Sequence, residues 1–100
     1  MIGSELIGKY VIARTYSAGV FAGILDKREG KEVEMSNARR LWRWCGAASL
    51  SQLSQEGTSK PSECKFPCEV AKIILIEVIE ILECTDKARE SIKGVKIWQE

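Results

Sequence analysis

Between Tyr10 and Trp44 the chain is cut into short runs of β-branched and aromatic residues, each closed by a turn signal. That pattern restricts the fold more than any other feature, because such runs are too short and too branched for stable helices. YVIARTY (Tyr10–Tyr16) reads as a first strand. Its small set Val11, Ala13 and Thr15 and its bulkier set Tyr10, Ile12, Arg14 and Tyr16 leave the buried face undecided. Ser17-Ala18-Gly19 turns, and Val20–Leu25 forms a second strand with Gly23 inside it, a residue that marks a bulge or sharp bend. Asp26–Lys31 is expected as a charged hairpin loop with Gly30 at positive φ. Glu32–Met35 follows as a third strand, Ser36-Asn37 as a tight turn, and Arg39–Trp44 as a fourth strand. The twofold period of a strand places Arg40, Trp42 and Trp44 on one side of it, and Arg39, Leu41 and Arg43 on the other.

Ser49-Leu50-Ser51-Gln52 fits a capping box and predicts a short helix over 47–56, stopped by Gly57. A helix of two turns cannot stand alone, so it must close over the strands. Thr58–Pro67 is a loop by composition. In Cys68–Cys84 the β-branched density favours a strand pair or one long bent strand over Ala71–Cys84. Glu77, Glu80 and Glu83, three residues apart, keep a helix open as the alternative. Thr85–Lys93 predicts an amphipathic helix with Ala88 and Ile92 inward and Gly94 at its end. Val95–Glu100 alternates as an edge strand would, with Ile97 or Trp98 tucked against the body. The expectation is a mainly β, α+β protein: a small SH3-like or Sm-like barrel with an inserted helix and a C-terminal helix. Residues 1–8 would be a flexible lead-in, and residues 9–100 a single domain.

The charge is uneven. Net charge is only +1, yet residues 1–50 hold eight Lys/Arg against five Asp/Glu, and residues 51–100 hold seven against nine. The cationic excess gathers at Arg39, Arg40 and Arg43, which suggests an anion-facing side rather than a global field. The N-terminal residues lack the basic start and apolar run of a signal peptide, and Glu77, Glu80 and Glu83 interrupt the richest apolar window. A cytoplasmic protein without a membrane partner is therefore expected. In that setting Cys45, Cys64, Cys68 and Cys84 read as small buried hydrophobes. The four-residue spacing of Cys64 and Cys68, without a second close pair or any histidine, does not suit a structural zinc site.

Catalytic chemistry finds little support: there is no histidine base and no G-x-S-x-G elbow. Neither an enzyme nor a cofactor is expected, and no metal. Anion binding is better served. Gly46, Ala47 and Ala48 would let a phosphate approach the amides that open the helix, with the Ser49 and Ser51 hydroxyls as further donors. Arg39, Arg40 and Arg43 could meet negative charge, Trp42 or Trp44 could stack on a base, and Tyr16 and Ser17 of the 16–19 turn would form the opposite wall. The plainer reading makes both tryptophans core residues and the arginines a solvated rim.

The runs RTYSAGVFAG (Arg14–Gly23), NARRLWRW (Asn37–Trp44) and GAASLSQL (Gly46–Leu53) together resemble a family of small proteins of tailed phages and prophages, over about Gly8 to Trp98. The resemblance implies an accessory phage protein in a bacterial host cytoplasm, but transfers no site residue. In that context a non-catalytic protein of this size would act by binding. It would sequester a nucleotide-derived immune signal, of cyclic nucleotide or ADP-ribose type, as a homo-oligomer that counters anti-phage defence. The alternative is a nucleic-acid-binding or protein-interaction module of Sm or SH3 type.

Overall fold

The computed structural model describes residues 2–100. Five strands, β1 (Tyr10–Thr15), β2 (Val20–Glu29), β3 (Glu32–Arg40), β4 (Val70–Leu75) and β5 (Val78–Glu83), and two helices, α1 (Leu50–Glu56) and α2 (Asp86–Gly94), make a mainly β, α+β protein. The strands form one antiparallel sheet in the order β4-β3-β2-β1-β5.

This order forces the sheet to curl. β4 and β5 occupy opposite edges, yet only Ile76 and Glu77 lie between them. Flat, those edges would stand roughly 19 Å apart, four spacings of about 4.8 Å. The three Cα steps from Leu75 to Val78 reach at most about 11 Å. The edges therefore approach at this corner, where Tyr16 N–H donates to Glu77 O and Val78 N–H to Lys31 O. No β4–β5 ladder joins them among the described residues, so the sheet does not close into a continuous barrel.

The middle of the sheet is covered on both faces, while β4 and β5 stay largely exposed. Val11 and Ala13 of β1 pack with Phe21, Leu25, Val33, Met35, Leu75 and Val78. Tyr10 and Ile12 of the same strand pack with Leu53 of α1, Ile92 of α2, Phe66 and Val95. β1 is thus covered on both sides, which is why its pattern did not single out one buried face.

Several expectations change. Asp26–Lys31 is not an open loop: β2 runs on to Glu29, and the turn is Gly30-Lys31, with Gly30 at φ +58°. Ser36-Asn37 is not a turn either. β3 is continuous, and Asn37 takes φ +49° at an irregularity within it. There the β2–β3 register shifts between Ala22 and Ile24, and Gly23 is required because a Cβ on it would lie 2.7 Å from Ala38 Cα. Arg39–Trp44 is not a fourth strand. β3 ends at Arg40, and within 41–44 Arg43 alone makes a bridge among the described residues, to Lys65. The 71–84 region resolves into the strand pair rather than the helix. Val95–Glu100 adds no edge strand and makes a single parallel bridge, Phe66 to Ile97. Within the expected lead-in, Ser4–Leu6 forms a 3-10 turn, Leu6 packs on the core, and Gly8 N–H donates to Leu25 O at 2.6 Å, while Met1 lies outside the described residues. Of the thiols, Cys64 is buried, Cys45 and Cys84 are half-buried, and Cys68 is exposed, contrary to the expectation for that residue. No helix of the described residues is long and apolar enough to cross a membrane.

The helices close over the sheet as their caps predict. Ser49 Oγ accepts from Gln52 N–H, Gly57 ends α1 at φ +77°, and Thr85 Oγ1 accepts from Ala88 N–H at the start of α2. Thr85 also donates to Gln55 O at 2.7 Å, which ties the start of one helix to the end of the other.

Candidate functional site

Beyond Arg40 the chain leaves the sheet, and this departure creates the site. Freed from a partner strand, 41–44 drops Leu41 into the core and turns Trp42 outward, 61% exposed. Trp44 is half-buried against the helix-side core. Arg40 stays exposed on the sheet, its guanidinium 4.6 Å from the centre of the Phe21 ring. Across from these residues stands the β1–β2 turn, shaped by Thr15: its hydroxyl donates to Gly19 O at 2.7 Å and accepts from Ala18 N–H at 2.9 Å. Ser17–Val20, Arg40, Leu41, Trp42 and Trp44 enclose an open cleft of about 440 Å³. That volume lies within the range of roughly 300–1,000 Å³ usual for small-molecule sites.

The structure therefore brings together Ser17, Arg40, Trp42 and Trp44 of the expected set, with the β1–β2 turn as the opposite wall. Tyr16 is exposed but does not line this cleft. Arg43 is exposed, and its backbone exchanges two hydrogen bonds with Lys65, at 2.7 and 3.2 Å. It too lies outside the cleft lining.

Arg39 is placed away from the expected site, and the Gly46–Ser51 segment is in part engaged by the chain itself. Arg39, 3% exposed, does not face an anion. Its guanidinium is fully engaged by backbone carbonyls: Nε donates to Pro67 O at 3.0 Å, Nη1 to Ile92 O and Val95 O at 3.0 Å each, and Nη2 to Phe66 O at 2.7 Å. Burial pulls its pKa below the ordinary arginine value, while Tyr10, Glu69 and Cys68 push the other way.

The segment Gly46, Ala47, Ala48, Ser49 and Ser51 is not an open anion cradle. Gly46 is wedged against the 58–60 loop, where a Cβ would lie 2.5 Å from Lys60 N, and its carbonyl accepts from Ser59 N–H and Ser59 Oγ. Ala47 packs on the core. Ala48 N–H donates to Gln52 Oε1 at 2.6 Å, and Ser49 Oγ caps Gln52 N–H. The Ser51 carbonyl accepts from Ser54 Oγ. The chain's own side chains take the Ala48 and Gln52 amides at this helix entrance, Ser51 stays exposed, and α1 is only seven residues long.

The residue that sequence reading missed is Trp98. It is not tucked away: it is 45% exposed and stacks on Trp42, ring centres 6.4 Å apart and planes 10° from parallel. Lys65 Nζ lies 5.4 Å from the Trp98 ring centre. The separation of 56 positions between Trp42 and Trp98 carried no local signal; the Trp98 N–H bond to Phe66 O and the Phe66–Ile97 bridge help bring the tail across. Among the described residues, the ion pairs engage Lys9, Arg14, Lys72 and Arg89, and leave Arg40, Arg43, Lys65 and Lys96 around the tryptophans without a carboxylate partner. What these elements define is a small β protein with a cationic, aromatic-lined surface cleft.

The chain belongs to the family described as Domain of unknown function (DUF6948), whose model matches residues 8–92. The match ends before Trp98, so the tail that supplies this ring lies outside it. No curated protein matches the sequence.

Proposed function

We propose that this protein binds a nucleotide-derived ligand in the cleft between the β1–β2 turn and the 40–44 segment. The observation that carries the reading is the convergence of Arg40, Trp42 and Trp44 on the Ser17–Val20 turn around one cavity. Trp42 offers an exposed ring on which a base can stack, and Arg40 offers a planar cation to a phosphate. The Ser17 hydroxyl adds a donor and acceptor on the opposite wall. The cleft lining holds no histidine, carboxylate, cysteine or lysine to act as a general base beside the Ser17 hydroxyl, which favours retention of the ligand over its conversion.

Joined to the resemblance to small phage proteins, this makes the protein a sequestering one, withholding a cyclic nucleotide or ADP-ribose-type signal in the host cytoplasm. The curled sheet is read as an open barrel of SH3-like or Sm-like type. Its unpaired β4 and β5 edges leave backbone groups with which a second copy could pair into a homo-oligomer.

A second reading has its own support: the Trp42–Trp98 pair and Lys65 lie on an exposed surface, an arrangement suited to single-stranded nucleic acid. A thermal-shift panel of mononucleotides, cyclic nucleotides and ADP-ribose isomers, repeated on Trp42→Ala, tests the first reading. Stabilisation by a panel member that disappears in the variant supports it; no shift with any member overturns it. Tight binding of an oligonucleotide with a steep negative salt slope favours the second.

A further inference from the structure

The Trp42–Trp98 pair stands between two clefts, not beside one. Trp42 lines the cleft described above, and Trp98 lines a second of equal size, about 440 Å³, walled by Pro61, Ser62, Gly94, Lys96 and Ile97. All three tryptophans of the chain lie at these two clefts. Each cleft has its own cation, Arg40 in the first and Lys96 in the second, and Lys65 stands next to the pair, its backbone bonded to Arg43 beside Trp42 and its Nζ over Trp98. Trp42 is held by the end of β3 and Trp98 by its backbone bond to Phe66, so the two rings are placed by separate parts of the chain.

We propose that the ligand carries two planar rings joined through phosphate, a dinucleotide-class molecule with one ring in each cleft and its phosphate link against Lys65. The proposal rests on the reading of the first cleft as a nucleotide site and adds the ligand's second half. One ring would engage only Trp42 or Trp98 and leave the other cleft to water. Two rings use both tryptophans, and Lys65 then faces the negative charge between them. Open clefts on either side of a stacked pair also suit a short, self-contained ligand that wraps around the pair.

The three tryptophans make intrinsic fluorescence a direct probe. AMP, the dinucleotide pApA and a twelve-residue oligo(dA) are titrated into the full chain at matched salt. The proposal expects pApA to bind at least about fivefold more tightly than AMP, the gain from one further stacked ring. Trp98→Ala should bring pApA down to the AMP level, and Trp98→Phe should keep most of the preference. Equal binding of AMP and pApA to the unaltered protein overturns the two-ring proposal and leaves the nucleotide reading standing. Binding of neither AMP nor pApA overturns the two-ring proposal, and with no shift from any member of the thermal panel it overturns both. Affinity that keeps rising from pApA to oligo(dA) replaces the dinucleotide with a strand.

Discussion

The Arg39 guanidinium lies 5.5 Å from the centre of the Phe66 ring and donates to the Phe66 carbonyl at 2.7 Å. The same group reaches Pro67, Ile92 and Val95, so one side chain on β3 fastens the 58–69 loop and the end of α2 to the sheet. A buried cation without a carboxylate is tolerable here because four carbonyl dipoles replace its hydration.

Arg39→Leu should therefore be among the most damaging single changes in the chain. It leaves four inward carbonyls without this donor, and the expected loss is about 3 kcal/mol or more of unfolding free energy. Urea denaturation followed by circular dichroism measures it. A loss below about 1 kcal/mol would mean that water reaches those carbonyls readily.

Alkaline pH should weaken the fold through two weak acids, the buried Tyr10 and the half-buried Cys84. Burial, with Glu83 adding to it, pushes the Cys84 thiol from its ordinary 9.0 up to about 12. Burial, joined by Cys84 and Glu69, raises the Tyr10 phenol above its ordinary value. Both groups stay neutral in the folded chain while the unfolded chain ionises, so their contribution is intact below pH 9 and is lost as pH climbs towards 12. Stability measured at intervals from pH 8 to 11 should fall in the unaltered protein and fall less steeply in Cys84→Val. At neutral pH Tyr10→Phe should be neutral or stabilising by up to about 1 kcal/mol, because the buried Tyr10 hydroxyl has no hydrogen-bond partner among the described residues.

The separation between legible and illegible features follows sequence distance. The caps of α1 and α2 were readable from Ser49, Gln52, Gly57 and Thr85 because capping is decided within a few residues. Gly23 announced its irregularity for the same local reason. Arg39 was misread because its neighbours, Arg40 and Arg43, are surface cations, whereas its own partners lie 27 to 56 positions away. The supposed turn at Ser36-Asn37 failed because Asn37 adopts a left-handed conformation within a continuing strand, and local composition does not separate the two cases. The cleft was half legible. Arg40, Trp42 and Trp44 were found by their clustering, but Trp98 arrives through the path of the tail.

Gly23→Ala tests whether the curl of the sheet depends on close backbone approach. The added methyl would lie 2.7 Å from Ala38 Cα and 3.0 Å from Ser36 O, backbone atoms that cannot swing aside as a side-chain tip does. A destabilisation of about 1–3 kcal/mol is expected, as for overpacking elsewhere. Gly19→Ala is a poor control because φ there is +102°, whereas Gly94→Ala meets nothing within 4 Å and should change little. Thermal melts of the two variants side by side decide the matter; equal melting temperatures would contradict the close packing of β2 on β3.

The cleft's two chief residues should separate binding from folding. Trp42 is mostly exposed and Arg40 makes no ion pair among the described residues, so neither carries much of the core. Trp42→Ala and Arg40→Ala should each keep unfolding free energy within about 1 kcal/mol of the unaltered protein. Their ligand effects should differ in kind. Loss of the ring removes stacking and weakens binding at every salt concentration, whereas loss of the guanidinium removes one phosphate contact and flattens the salt dependence. Titrating one nucleotide ligand at several salt concentrations into both variants distinguishes these roles. If Arg40→Ala leaves the salt slope unchanged, the guanidinium serves only to cover Phe21, 4.6 Å beneath it, and the anion is held by another group.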